Sequence, residues 1–394
     1  MIRLMKNTFY NEEETKKLLC EFIMQADRLS MYNKCIEFEE KFSKHQGRKY
    51  SVLFNSGSSA NLALIQGLLH LGILKKGDNV GFSALTWGTN VMPLIQLGLN
   101  PIPIDISLKN LNVNSENLLE VLKEEKLKVL FITNLLGFCG DLNKIKEICD
   151  KEGIILLEDN CESLGSEFDG TKLGNFGLAS TCSFFVGHHL STIEGGMVCT
   201  DSKELCEELL MIRAHGWSRD SSEEIKSKLK NKHNIEDFHE AYTFYRAGYN
   251  LRPTEITGFI GVEQLKYIEK ICQKRQDNFN KYHECANNNP DFIELDFSNM
   301  DFTSNFAYPI ICRNKGILNE YVKKFFDVEI RPIVGGSITK QPFFKENKYS
   351  CPNAEIVHEQ GFYIPNNPDL TEDEIRYLLK LMEKNPQDKN DTSN

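Results

Sequence analysis

The sequence predicts an α/β protein with a large, mostly parallel sheet covered by helices on both faces. Two observations carry this. Between residues 50 and 200 short apolar strands alternate with stretches of helical periodicity, and the strands break into small polar turns at their carboxyl ends. Strands that are apolar along their whole length belong in a sheet buried on both sides. A chain of 394 residues can bury a large core and form two packed domains. The expected division is N-terminal helices with a large domain over 1–255, a smaller C-terminal α+β domain over 256–384, and a disordered polar tail over 385–394.

Residues 8–45 place Glu, Lys and Leu at helical spacing, and Asn11 before three glutamates is a helix start. Tyr50 to Phe54 reads as a strand. Asn55 to Asn61 is a turn of small residues running into an apolar helix through Leu62, Leu64, Ile65 and Leu68. Free peptide N–H groups and serine hydroxyls at such a helix start can hold a phosphate, and the same residues suit a tight loop with a serine N-cap. Strands follow at Asn79 to Phe82, Pro101 to Ile106, Val129 to Thr133 and Ile154 to Leu157, with helices through Met92 and Leu97, from Ser115 to Lys126 and from Leu142 to Lys151. Cys182 to Val186 and Met197 to Thr200 are two further strands. Between them Gly187 opens a polar turn with His188 and His189, and a histidine pair raised on a turn is placed for proton transfer.

The charged run over 220–242 reads as an exposed excursion. A long helix from about Thr254 to Asn280 leads to a strand at Phe306 to Cys312, a helix at Leu318 to Phe326 and a strand at Val328 to Ile333. Thr371 and Glu374 form a capping box for the last helix.

A net charge of −10 argues against nucleic acid or an anionic membrane as partner. The twelve cysteines are scattered singly, without zinc spacing, and read as reduced thiols of a cytoplasmic protein with no metal site. Asp159 ends an apolar strand. A carboxylate there can meet a protonated ring nitrogen or cap a helix. Trp87, one of two tryptophans, offers a stacking face or fills a core.

Taken in order, the Ser56 to Ser58 turn, Thr86-Trp87, Glu158-Asp159, the Ser183 turn, His215-Gly216 and Gly248 to Asn250 resemble the sugar aminotransferase (DegT/DnrJ/EryC1/StrS) family over nearly the whole chain. The resemblance implies a fold type I pyridoxal-phosphate enzyme and a homodimer. Gly57, Ser58 and Ser183 would hold the cofactor phosphate, Trp87 would stack on its ring, and Asp159 would meet the ring nitrogen. Glu162 would sit near the ring hydroxyl, where a glutamine is usual, and Asn250 would reach the phosphate of the neighbouring subunit. In the family a lysine follows the Ser183 turn and carries the cofactor covalently; here that position is His188. This exchange, with Gly187 to Gly196, Trp217 to Asp220 and Arg331 to Ser337, resembles a branch that dehydrates nucleotide-linked 4-keto-6-deoxy sugars at C3.

For that branch the resemblance implies pyridoxal and pyridoxamine phosphate as cofactor, glutamate as amino donor, and 2-oxoglutarate and ammonia as products, with His188 moving the protons. No cysteine lies between Cys206 and Cys272, where an iron–sulfur type would carry ligands, so the chain resembles the cluster-free type; that resemblance implies a GDP-linked sugar, while the residues themselves leave the nucleotide and the sugar configuration open. Arg219 and Arg331 are candidates for the diphosphate, surface ion pairs being their ordinary use. His189 is left to orient His188 or the phosphate. The alternatives are a 4-aminotransferase using another lysine, with Lys172 nearest in sequence, a decayed aminotransferase, and a non-catalytic cofactor-binding regulator.

Overall fold

The computed structural model describes residues 1–344 and 349–384; the expected tail over 385–394 lies outside them. The strands are β1 (Tyr50–Phe54), β2 (Asn79–Ser83), β3 (Asn100–Ile104), β4 (Val129–Thr133), β5 (Ile155–Asp159), a two-residue hairpin of β6 (Glu167–Phe168) and β7 (Thr171–Lys172), then β8 (Ala179–Ser183) and β9 (Gly196–Thr200). Seven of them form one sheet in the order β1-β9-β8-β5-β4-β2-β3. Neighbours from β3 to β8 run parallel, and only β9 is reversed, against both β1 and β8. The carboxyl ends of β1, β2, β4, β5 and β8 therefore share one edge, where sheets of this kind bind ligands.

The two-residue period of the strands sorts their side chains onto opposite faces. Val129 and Phe131 pack with Val80, Phe82 and the helix Gly57–His70 on one face. Leu130 and Ile132 pack with Ile102 and Ile104 on the other, in a core that continues into a second sheet. That sheet consists of β10 (Ala307–Ile311), β11 (Arg331–Pro332) and β12 (Gly361–Pro365), all antiparallel in the order β10-β12-β11. The sequence-predicted α/β class is the class observed.

Four elements differ from expectation. The long helix is two, Glu255–Leu265 and Ile268–Asn287. The first lies against the helix Asn33–Gln46 so closely that a Cβ on Gly258 would sit 2.4 Å from the Cys35 nitrogen and one on Gly261 2.5 Å from the Phe38 ring. The second turns away to send Phe279 and Tyr282 into the core shared with the small sheet, so packing, not periodicity, sets the break. The charged excursion contains the helices Glu223–His233 and Asp237–Glu240. β8 begins three residues early and stops at Ser183, because Phe184 and Val186 bond to Gly195 and Ile193 across the histidine turn instead. The expected strand Val328–Ile333 is reduced to Arg331–Pro332, Val328 pairing instead with Ile2 of the N-terminal segment. Among the described residues no helix is long and apolar enough to cross a membrane.

Candidate active site

A cavity of about 530 Å³ opens where β1, β4, β5 and β8 end, facing Phe306, Arg331 and Tyr363 of the small sheet and its approaches. Of the residues singled out in the sequence, Gly57, Ser58, Trp87, Asp159, Glu162, Ser183, His188 and Arg331 line it. Arg219 and Asn250 do not.

The anion-binding end is built by β1 turning directly into the helix Gly57–His70. Ser56 caps that helix by accepting from the Ser59 N–H at 3.1 Å, which leaves the first peptide N–H groups free at the positive end of the helix dipole. Glycine is required at 57: a Cβ there would lie 2.8 Å from Ser183 Cβ. The close approach brings the Ser183 hydroxyl to the same helix start.

Asp159 is buried at the end of β5. Its Oδ2 accepts from Asn61 Nδ2 at 3.0 Å and Asn90 Nδ2 at 2.7 Å, and its Oδ1 accepts from the Cys161 N–H at 2.9 Å. Thr86 continues this chain, donating to Asn90 Oδ1 and sharing a hydrogen with Thr133. A carboxylate held by three donors has one orientation, which suits it to meet a cationic ring nitrogen rather than to cap a helix. Trp87 is 57% exposed, so its indole faces open space instead of filling a core. Glu162 accepts from the Leu136 N–H at 3.0 Å. Burial raises its carboxyl to about 8, against the pull of that bond, and the Asp159 charge adds to the rise. At neutral pH Glu162 is thus a hydrogen-bond donor, as the glutamine usual at this position in the resembling family would be.

His188 sits at the tip of the turn between β8 and β9, its peptide N–H donating to Phe185 O at 2.8 Å. Ile193 in that turn has φ of 72°, a costly conformation for a β-branched side chain. The imidazole packs on Phe306 with ring centres 5.1 Å apart. Burial, reinforced by the Arg275 guanidinium, lowers it to about 4, so the ring is neutral at pH 7 and able to accept a proton. His189 points the other way, its Nε2 2.8 Å from Ser304 O. No lysine is among the described residues that line the cavity. Lys172 lies on β7 and donates to His45 O at 2.8 Å.

Arg331 reaches the cavity rim with its guanidinium on Glu329, 2.6 Å away. Arg219 lies over the Trp217 ring at 3.7 Å and the Tyr242 ring at 4.4 Å. Asn250 pairs with Ala214 and accepts from Arg252 at 3.0 Å. Sequence reasoning missed Asn61, Asn90, Phe306, Tyr363, Leu4 and Met5. Only Asn61 carried a signal, an amide inside the apolar helix Ala60 to Leu69, where a buried polar group needs a partner.

Residues 10–383 match the DegT/DnrJ/EryC1/StrS aminotransferase family. The chain is 34% identical over 373 residues to a GDP-4-keto-6-deoxy-D-mannose 3-dehydratase of Yersinia pseudotuberculosis, covering 92% of this chain and 94% of that protein. It is similar in structure, with a TM-score of 0.88 and 32% identity, to the Escherichia coli GDP-4-keto-6-deoxy-D-mannose 3-dehydratase with bound hydrated PLP, over 97% of this chain and 99% of the other. A GDP-4-keto-6-deoxymannose 3-dehydratase with a trapped PLP-glutamate geminal diamine superposes with a TM-score of 0.87 at 32% identity, covering 97% of this chain and 100% of that one.

Proposed function

The chain belongs to the DegT/DnrJ/EryC1/StrS aminotransferase family, and from that premise we propose that it is a pyridoxal-phosphate-dependent 3-dehydratase of a GDP-linked 4-keto-6-deoxy sugar. Glutamate is the amino donor, 2-oxoglutarate and ammonia are released, and the oxygen leaving C3 balances the oxygen glutamate gains. The observation that carries the reading is the neutral imidazole of His188 in a cavity lined by no lysine among the described residues. A transaminase of this family would need an amine there.

The site fits the cofactor. The helix start at Gly57 and Ser58, with the Ser183 hydroxyl, would hold its phosphate, Trp87 its ring face, Asp159 its ring nitrogen and Glu162 its ring hydroxyl. When bound, the cofactor supplies the amino group taken from glutamate and a conjugated ring that accepts electron density. Asp159, its orientation fixed by three donors, would offer its carboxylate to the ring nitrogen. His188 accepts a proton at its imidazole and returns one to the departing C3 hydroxyl, which leaves as water. Phe306 packs on the imidazole, and Arg331, which lines the cavity, would bind the diphosphate.

The test is product analysis of the purified protein given glutamate and GDP-4-keto-6-deoxymannose, without iron or a reductase. A 4-keto-3,6-dideoxy sugar with ammonia and 2-oxoglutarate in equal amounts is expected; an aminosugar without ammonia makes the protein a transaminase, and a requirement for iron and an electron donor overturns the cluster-free reading.

Arg219 and Asn250, away from this cavity, are read as serving the site of a second subunit. Tyr242 under the Arg219 guanidinium and Phe244 stacked near Trp217 are exposed, as an interface requires. Sedimentation is expected to show a homodimer; a monomer that binds cofactor at full occupancy removes this assignment. The reading places the reaction in the cytoplasm, where nucleotide sugars and glutamate occur together.

A further inference from the structure

After β4 the chain turns through Asn134 to Gly137. Leu136 in this turn has φ of 57° and ψ of 18°, a left-handed conformation that a non-glycine residue keeps only where its surroundings impose it. The peptide that follows Leu136 is clamped at both ends. Its oxygen, Leu136 O, accepts from Asn305 Nδ2 at 2.7 Å and from the Phe306 N–H at 3.2 Å, and its N–H, that of Gly137, donates to Ser163 Oγ at 3.1 Å. With that plane fixed, the left-handed dihedrals aim the preceding N–H, that of Leu136 itself, at Glu162 Oε2, 3.0 Å away. Gly137 lets the turn close on the segment before β10, since a Cβ there would lie 2.6 Å from Ser304 O.

Asn305 comes to Leu136 from 169 positions away and is fully buried. Its Nδ2 also donates to Ala307 O at 3.0 Å, and its Oδ1 accepts from Asn366 Nδ2 at 3.0 Å. The amide therefore has one orientation, because reversing it would set Oδ1 against two carbonyl oxygens. Asn366 is tied in turn to Arg275 O at 3.0 Å. At the far end of this chain of bonds, Glu162 Oε2 is an acceptor, so a protonated Glu162 carries its hydrogen on Oε1.

We propose that Asn305 is a positioning residue for Glu162: acting through the Leu136 turn, it keeps Oε2 as the accepting oxygen and Oε1 as the oxygen that carries the hydrogen. On the reading of Glu162 as the neighbour of the cofactor's ring hydroxyl, on which the functional consequence rests, Oε1 is the atom that donates to that hydroxyl. The same segment lays the Phe306 ring on His188 and the Ser304 carbonyl on His189, so three consecutive residues keep the acid and the base of the site in register. The titratable groups facing Glu162 are Asp159 and Cys161 at the end of β5 and Tyr363 on β12.

Infrared spectra of the protein loaded with pyridoxal phosphate should contain a protonated-carboxyl band that Glu162→Gln removes. The Leu136 N–H pulls Glu162 toward its ionised form, so Asn305→Ala, which frees the turn, should move the pH midpoint of that band upward. It should also lower kcat by up to about 10²-fold, as a small misplacement in a site does, at unchanged KM. Ser163→Ala releases the other end of the same peptide and should move the band in the same direction. Asn289→Ala, which removes a buried amide bonded to Tyr321 and Met382 O in the small domain, should lower stability and leave the band in place. A band unmoved by Asn305→Ala, or moved as far by Asn289→Ala, overturns the proposal; if Asn305→Ala does not fold, a band unmoved by Ser163→Ala overturns it. Should Asn305→Ala move the band while Glu162→Leu leaves the cofactor absorption unaltered, the ring-hydroxyl reading fails and the positioning of Glu162 by Asn305 stands.

Discussion

Replacing His188 with asparagine is expected to slow dehydration by about 10²–10⁴-fold, the usual contribution of a positioned general base, while pyridoxamine phosphate still binds. The helix start at Gly57, the Asp159 carboxylate and the Trp87 face are untouched by the change, so cofactor affinity measured by absorbance should stay near native. Borohydride should leave the cofactor unattached in native protein, since imidazole forms no covalent bond with it. His188→Lys should make it reducible onto residue 188 and abolish dehydration. Native protein trapped at some other lysine, or an asparagine variant that turns over normally, sinks the assignment.

The same residue predicts a pH effect on stability. In the fold the His188 imidazole is held at about 4 against an ordinary 6.5, chiefly by burial. The unfolded chain therefore takes up a proton first as pH falls. The stability that His188 contributes is complete above about 6.5 and is lost progressively toward 4. In chemical denaturation across this window His188→Asn should remove one proton's share of the pH slope relative to native protein; His45 and His189, displaced in the same direction by burial, leave a residual decline, and the raised Glu162 carboxyl opposes it. For activity, the acid limb should lie below the ordinary histidine value, because the imidazole stays neutral to lower pH.

Asp159→Asn is the second large effect, a loss of about 10²–10³-fold in kcat, comparable to removing one preorganised electrostatic contact in a water-excluded site. The substituted amide keeps the shape but loses the charge opposite the ring nitrogen. It also turns a donor toward Asn61, Asn90 or the Cys161 N–H, all of which donate to the carboxylate. Leaving such a buried group unsatisfied costs about 1–3 kcal/mol of stability, so a lowered denaturation midpoint should accompany the loss of rate. A variant that is destabilised but turns over at the native rate would make Asp159 a structural anchor only.

The sequence by itself determined the layers and the main parts of the site. Wholly apolar strands specify a sheet buried on both faces, and small residues after Phe54 specify a turn into a helix, because backbone conformation depends on neighbours a few positions away. Asp159 and His188 were legible for the same reason: one ends an apolar strand and the other stands in the polar turn after one, and strand ends in a parallel sheet converge; Ser183, read as lying inside its strand, was picked out by the family resemblance. The position of the helix break before Ile268 was not legible, since the apolar pattern continues through it and the closeness of Gly258 to Cys35 decides it.

What the tertiary structure alone decided is the environment that sets each group's chemistry. Asn61 and Asn90 reach Asp159 from 98 and 69 residues away, and Arg275 and Phe306 come to His188 from a different sheet and helix. Burial and a neighbouring cation make the imidazole a neutral base, and burial turns Glu162 into a donor. These are properties of the dielectric and of charges gathered in space. Contacts of such long sequence separation leave no periodic or local trace in the chain, and so only the folded arrangement reveals them.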